Sequence, residues 1–262
     1  MRPMVTPGSQ AEEVGRLILA GFIVIALPSL PFGNYLVYPF TILTTWFHEM
    51  GHGLTALVMG QDFVRLQIFA NGSGLAESRV AGDASALLRA SIAAGGPLAP
   101  TFVGAGLILA SAHPKLWRPA LWGLSAAIFA SVILYVRSTT GFAVLPLIAL
   151  TLALIAWKAP GGVNRFTLQF LGLLGAMSML NDYKYFFTES VVIDGRPMLS
   201  DTGQIEAALW LPHWVWAALI LLTSAGMVGA SLKYALNDKR RLARQPKRPA
   251  NVLQFKRTDR KR

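Results

Sequence analysis

Thr45-Trp46-Phe47-His48-Glu49-Met50-Gly51-His52-Gly53-Leu54-Thr55-Ala56-Leu57 carries three ionisable groups through an otherwise apolar run. His48, Glu49 and His52 form an H-E-x-x-H motif. On a helix, positions i and i+4 share a face, so both imidazoles can reach one metal ion. Glu49 lies one step round, where it can hold a water rather than ligate the metal. This is the donor pattern of a zinc hydrolase. A glutamate and two histidines in an apolar helix cost roughly a few kcal/mol each unless they are paired or ligated. The plainer reading is two helix-face histidines bonded to carbonyls, with Glu49 salt-bridged. The chain has only four histidines, and two fall in this motif.

The sequence around the motif has the composition of a membrane protein. Of 262 residues, 53% are hydrophobic and 14% charged, where a soluble domain carries about a quarter charged. The mean hydropathy is +0.47. Apolar segments recur along the chain, so the expected fold is an all-α polytopic membrane protein with about seven transmembrane helices, in a range of six to eight. They are placed at about 17–30, 37–59 (carrying the motif), 87–110, 117–136, 141–157, 166–187 and 207–236. Cysteine is absent, which excludes disulfides, thiolate metal sites and a cysteine nucleophile. Any zinc must then be held by histidine and carboxylate.

Just after the motif helix the period changes. Phe63-Val64-Arg65-Leu66-Gln67-Ile68-Phe69 alternates as a strand does, Asn71-Gly72-Ser73-Gly74 is a turn, and Leu75 to Val80 can return. A β-hairpin is predicted there. It is either a surface hairpin or an edge strand that receives an extended substrate. The latter has a physical motive: a helical substrate must unwind before its peptide bond is exposed, and its freed backbone groups then need partners. Further on, Ala93-Ala94-Gly95-Gly96-Pro97 permits close helix contact. Pro97 and Pro100 are expected to distort that helix.

A two-histidine site wants a third ligand. Asp182, in Asn181-Asp182 at the end of the sixth span, is the only carboxylate besides Glu49 inside an expected span. A buried acid there wants a cation, although pairing with Lys184 would also serve. Asp194, in Asp194-Gly195, reads first as a turn and second as a rival ligand. Ser200-Asp201-Thr202 reads as a helix cap, with Asp201 a further alternative ligand.

The ends differ from the body. Residues 1–16 read as a flexible leader and 17–236 as the integral membrane domain. The net charge of +11 is concentrated in the C-terminal stretch, where 233–262 holds twelve Lys or Arg against two Asp. The basic tail at 237–262 is expected to be disordered. It suits topology anchoring or contact with anionic lipid. With no aromatic platform beside it, no nucleic-acid partner is expected.

Three features together resemble the site-2 protease family of intramembrane zinc metalloproteases, in its B-type, M50B-like branch. They are Phe47-His48-Glu49-Met50-Gly51-His52-Gly53; the Asn71–Gly74 turn followed by Ala94-Gly95-Gly96-Pro97; and Met179-Leu180-Asn181-Asp182-Tyr183 followed by Ser200-Asp201-Thr202 and a Trp-rich last span. The resemblance implies that His48 and His52 bind Zn2+, that Glu49 is the catalytic base, and that an aspartate on a later helix, placed at Asp182, completes the site. The implied activity is hydrolysis of peptide bonds in membrane-embedded or membrane-adjacent protein substrates, with the plasma (inner) membrane the expected location. The alternative is a catalytically silent membrane scaffold of the same fold, with the basic tail recruiting a partner.

Overall fold

A computed structural model describes residues 10–26, 30–181, 185, 187–193 and 195–236. Both terminal stretches of the sequence, and with them the whole basic tail at 237–262, lie outside the described residues. So do Asp182, Lys184 and Asp194.

The described chain is mostly helical. The long helices are α1 (Gln10–Ala26), α2 (Gly33–Val58), α3 (Ala86–Ser111), α4 (Trp117–Leu134), α5 (Thr139–Lys158) and α6 (Gly161–Asn181). A short helix α7 (Asp201–Ala208) precedes α8 (His213–Ala235). The single last span expected from the sequence is thus two helices. They are divided at Leu209 to Pro212, because Pro212 cannot continue a helix but serves as the N-cap of α8. Among the described residues, four segments are long and apolar enough to cross a membrane: Ala86–Ser111, Pro114–Leu134, Thr139–Lys158 and His213–Ala235. Helices α2 and α6 are of similar length but are not among the four. The first carries Thr41, Thr44, Thr45 and the H-E-x-x-H motif, and the second carries Asn164, Arg165 and Gln169.

The expected hairpin is present. Strands β1 (Asp62–Ile68) and β2 (Gly74–Arg79) pair antiparallel, with Leu66 opposite Ala76 and a register shift between Phe63 and Arg65. Asn71 forms the turn by accepting from the Ser73 backbone and hydroxyl at 3.0 and 2.8 Å, while Gly72 takes φ 89°. The turn is tied back to α2: Thr45 donates to Gly72 O at 2.6 Å and Tyr38 to Ala70 O at 3.0 Å. A second hairpin, β3 (Ser190–Ile193) and β4 (Arg196–Leu199), lies where the sequence predicts only a polar loop. Gly195 at φ 73° makes its turn.

One apolar core runs through α2, β1, α3, α4, α5 and α6, with Ile42, Leu66, Leu121, Ile128, Leu145 and Leu168 fully enclosed. Phe63 anchors the hairpin to it. Its ring fills the notch left by Gly53 on α2 and stacks on Tyr135 at 4.2 Å. Burying such a ring contributes about 1.5–3 kcal/mol. A smaller core of Ala90, Ala93, Ile205, Ala217 and Ile220 holds α7 between α3 and α8. Helix α3 runs unbroken through Pro97 and Pro100. Its small residues let α2 and α6 approach closely, with Gly51 against Gly95 and Gly104 against Gly172.

Candidate metal centre

Helical spacing puts His48 and His52 on one face of α2, as the motif requires. Their Nε2 atoms are 3.2 Å apart. Among the described residues, the carboxylate that meets them is Asp201. Its Oδ2 lies 2.9 Å from His48 Nε2 and its Oδ1 lies 3.2 Å from His52 Nε2. Asp182, expected as the third ligand, and its rival Asp194 lie outside the described residues.

Local structure explains how Asp201 arrives. Ser200 is the N-cap of α7, its hydroxyl accepting from Gly203 N at 3.0 Å. Asp201 follows in the first turn, where the helix dipole favours a negative charge. Ile205, one turn on, is buried against α3 and α8 and fixes the rotation of α7, so that Asp201 turns toward α2. A Cβ on Gly203 would overlap Glu189 O, so this glycine lets the incoming chain cross the first turn of α7. The cap read from the sequence is therefore correct. Ser200 does the capping, which leaves the neighbouring carboxylate free for another task.

The three side chains fit a metal ion. The His52 Nδ1 atom lies 2.8 Å from Ile92 O. A carbonyl only accepts, so Nδ1 carries the proton and, in neutral imidazole, Nε2 presents its lone pair. That lone pair faces the Asp201 carboxylate. Asp201 is 2% exposed, and its Oδ2 takes part in no hydrogen bond despite its closeness to His48. Electron pairs that converge in a buried place need a cation between them, either a metal ion or additional protons on the imidazoles. Ligand atoms at about 2.0–2.2 Å from a tetrahedral zinc stand about 3.3 Å from each other. The imidazole nitrogens here are 3.2 Å apart, and each lies 2.9 or 3.2 Å from a different oxygen of the Asp201 carboxylate, a little under that value. Two nitrogens and one carboxylate oxygen also form a donor set used by catalytic zinc. Among the described residues, His48, His52 and Asp201 form a group able to hold a metal ion. Burial works against the charge on Asp201. With protons on both rings, the His52 and His48 imidazoles more than offset it and hold its carboxyl below the usual carboxylate range.

Glu49 sits beside this group without joining it. It is buried, packed within 2.6 Å of the Cβ position of Gly74, and accepts the Ala76 backbone N–H. Only a glycine at 74 leaves room for its carboxylate. A cleft of about 520 Å³ opens over His48 and Glu49, bordered by Thr44, Thr45, Gly72 to Gly74, Tyr185, Thr188 and Ser190 to Ile193. A recess of about 200 Å³ continues past His52 and Asp201 along β2 as far as Val80. The cleft therefore runs between the two hairpins.

The two edges of the first hairpin differ. Leu66 donates its N–H to Tyr135 O and accepts from Arg137 N, both at 2.8 Å, and Ile68 N donates to the Ser138 hydroxyl at 2.9 Å. The connection between α4 and α5 thus seals the outer edge of β1. By strand parity Gly74, Ala76 and Ser78 turn their backbone groups to the opposite side, the outer edge of β2. That edge borders the cleft, and the Ala76 N–H there already holds Glu49.

The sequence gives little notice of Tyr185 or of the part played by Gly96. A Cβ on Gly96 would overlap the His52 ring, so the Gly-Gly-Pro stretch seats that imidazole as well as packing helices. His213, outside the motif, is bonded through Nδ1 to Glu206 Oε2 at 2.7 Å.

No curated protein and no solved structure matches the chain. A family model described as Peptidase M50B-like matches residues 17–231, a span that takes in the motif helix, both hairpins and the short helix bearing Asp201. The protein belongs to that peptidase family.

Proposed function

We propose that the chain is an intramembrane zinc metalloprotease that hydrolyses peptide bonds of membrane-embedded or membrane-adjacent proteins. The observation that carries this reading is the placement of Glu49. It is next to the His48–His52–Asp201 group, outside that group, and on the floor of a cleft bordered by an open strand edge.

His48, His52 and Asp201 are the residues that would hold the ion. When bound, zinc supplies Lewis-acid polarisation of the scissile carbonyl and of water. Glu49 takes a proton from water in the cleft and returns it to the leaving amine nitrogen. The Ala76 N–H keeps that carboxylate turned toward the cleft. The substrate enters extended, its freed backbone groups pairing with those of Gly74 and Ser78 on the outer edge of β2. Such pairing offsets the cost of unwinding a helix in an apolar setting. Thr44, Thr45, Thr188 and Ser190 give the cleft the polar lining that admits water.

Zinc per chain on detergent-purified protein is the direct test. About one ion is expected in the wild type, retained in Glu49→Gln and lost in His48→Ala and Asp201→Ala. Full peptide hydrolysis by Glu49→Gln would sink the mechanism. Loss of zinc in Asp182→Ala or Asp194→Ala, with retention in Asp201→Ala, would move the third ligand.

A further inference from the structure

Tyr185 has no part in the donor set or in the proton transfers, yet it stands at their centre. It lines both the cleft over Glu49 and the recess holding Asp201. Its ring is edge-on to His48, with centroids 6.4 Å apart at 79°. Its hydroxyl is hydrogen-bonded to Asp201, at both the carboxylate and the backbone. The backbone makes the same connection by another route. Thr188 donates its hydroxyl to Tyr185 O at 3.0 Å, and Ser200 donates its hydroxyl to Thr188 O at 2.5 Å. Ser200 N also donates to Glu189 O at 2.9 Å. Tyr185 and Asp201 are therefore held together by a closed ring of bonds through side chain and main chain.

We propose that Tyr185 is a positioning residue for the metal centre, holding the Asp201 carboxylate in the orientation that faces both imidazoles. The inference rests on the metal-site reading above. One oxygen of this buried carboxylate takes part in no hydrogen bond among the described residues, so the contact with the Tyr185 hydroxyl restrains its rotation. Outer-sphere hydrogen bonds of this kind typically change metal affinity 10- to 100-fold when removed. The phenol acts through Asp201, so its loss alters the geometry and affinity of the site rather than the hairpin edge that would take the substrate.

The test uses Tyr185→Phe in the full detergent-purified chain, which keeps the ring against His48 and removes only the hydroxyl. Zinc affinity is measured by competition with a chelator. The visible spectrum of the Co2+-loaded protein reports ligand geometry, and melting of the metal-free protein reports the fold. The expected result is zinc affinity weaker by about 10- to 100-fold, an altered Co2+ spectrum and an unchanged metal-free melt. Affinity and spectrum both equal to wild type overturn the proposal, and do so decisively if peptide hydrolysis falls, since the hydroxyl then acts on substrate. Should Tyr185→Phe melt early, Thr188→Val breaks the backbone route and leaves the phenol in place. Zinc affinity unchanged in that variant and fully restored in Tyr185→Phe at low temperature also overturns it. A wild type that takes up no zinc is a separate failure, that of the metal-site reading itself, and is visible before any variant is compared.

Discussion

The two sides of α2 that flank His48 and His52 are built in opposite ways. Toward α3 the contact is dry and made by glycines: Gly51 against Gly95, Gly95 against Thr55, Gly96 against His52. Toward the hairpins α2 presents Thr44, Thr45 and Glu49 to an open cleft. The closed side leaves no space for even a methyl group, so it determines where the imidazoles point. The open side leaves room for water and, under the proposed function, for an extended substrate. A metal centre that had to hold its ligands within tenths of an ångström and also receive a polymer would have to separate these demands, and the two sides of α2 are built in a way that suits that division.

That contrast can be broken from the closed side first, where the largest effect is expected. Gly96→Ala drives a methyl group into the His52 ring, and neither α2 nor α3 can retreat past the neighbouring Gly51–Gly95 contact. Zinc stoichiometry is expected to fall well below that of wild type, with activity lost in step. Normal zinc content in this variant would show that the interface gives more readily than its packing implies.

On the open side, Glu49→Gln is expected to keep zinc while lowering turnover by about 10²–10⁴-fold, the usual contribution of a positioned base. Paired measurements of metal content and turnover separate it from the Gly96 variant. The next effect concerns the fold. Phe63→Ala empties the notch at Gly53 and the stack on Tyr135, at a cost of about 3–5 kcal/mol. Thermal melting in detergent should show the loss, with β1 and β2 more open to hydrogen exchange than α4 and α5.

A milder change sharpens the edge argument. Ser78→Pro removes a backbone donor from the open edge of β2 and leaves the pairs with β1 in place. The expected outcome is a rise in KM of about tenfold, a hydrogen bond or so, with zinc content unaffected. Equal kinetics would argue that the substrate does not add to this strand.

The smallest effect lies away from the centre. Glu206 accepts from the His213 backbone N–H and from its Nδ1, both at 2.7 Å, and these bonds hold its carboxyl below its ordinary value. A lowered folded-state value means the contribution is complete above the ordinary glutamate value of about 4.3 and fades as pH falls through the folded value. Glu206→Gln should therefore flatten the acid limb of the melting-temperature profile and leave it unchanged near neutrality. An identical acid limb would remove the pair from the account of how α7 joins α8.

Much of this was legible in the residues. The H-E-x-x-H spacing needs only a helix to bring His48 and His52 together. Asn71-Gly72-Ser73-Gly74 needs only turn chemistry to close a hairpin, and Ser200 caps a helix by a bond to a residue three places on. The second hairpin was harder to see, because β3 and β4 have four residues each and their alternation is too brief to register. The division at Pro212 was concealed by apolar residues on both sides. Asp201 was visible as the neighbour of a capping serine, though nothing local raised it above Asp182 or Asp194 as a candidate ligand.

The sequence alone determined whatever depends on neighbours along the chain: two imidazoles on one face, a carboxylate beside them, a strand-turn-strand after them, and apolar helices of membrane length. Only the tertiary structure decided which carboxylate meets the imidazoles, which edge of the hairpin stays open, and which glycine seats His52. Those outcomes rest on packing between distant segments: Ile205 between α3 and α8, residues 135–138 on β1, and Gly96 under His52. Local spacing constrains a residue to a face. It takes the close packing of the whole chain to decide what that face touches.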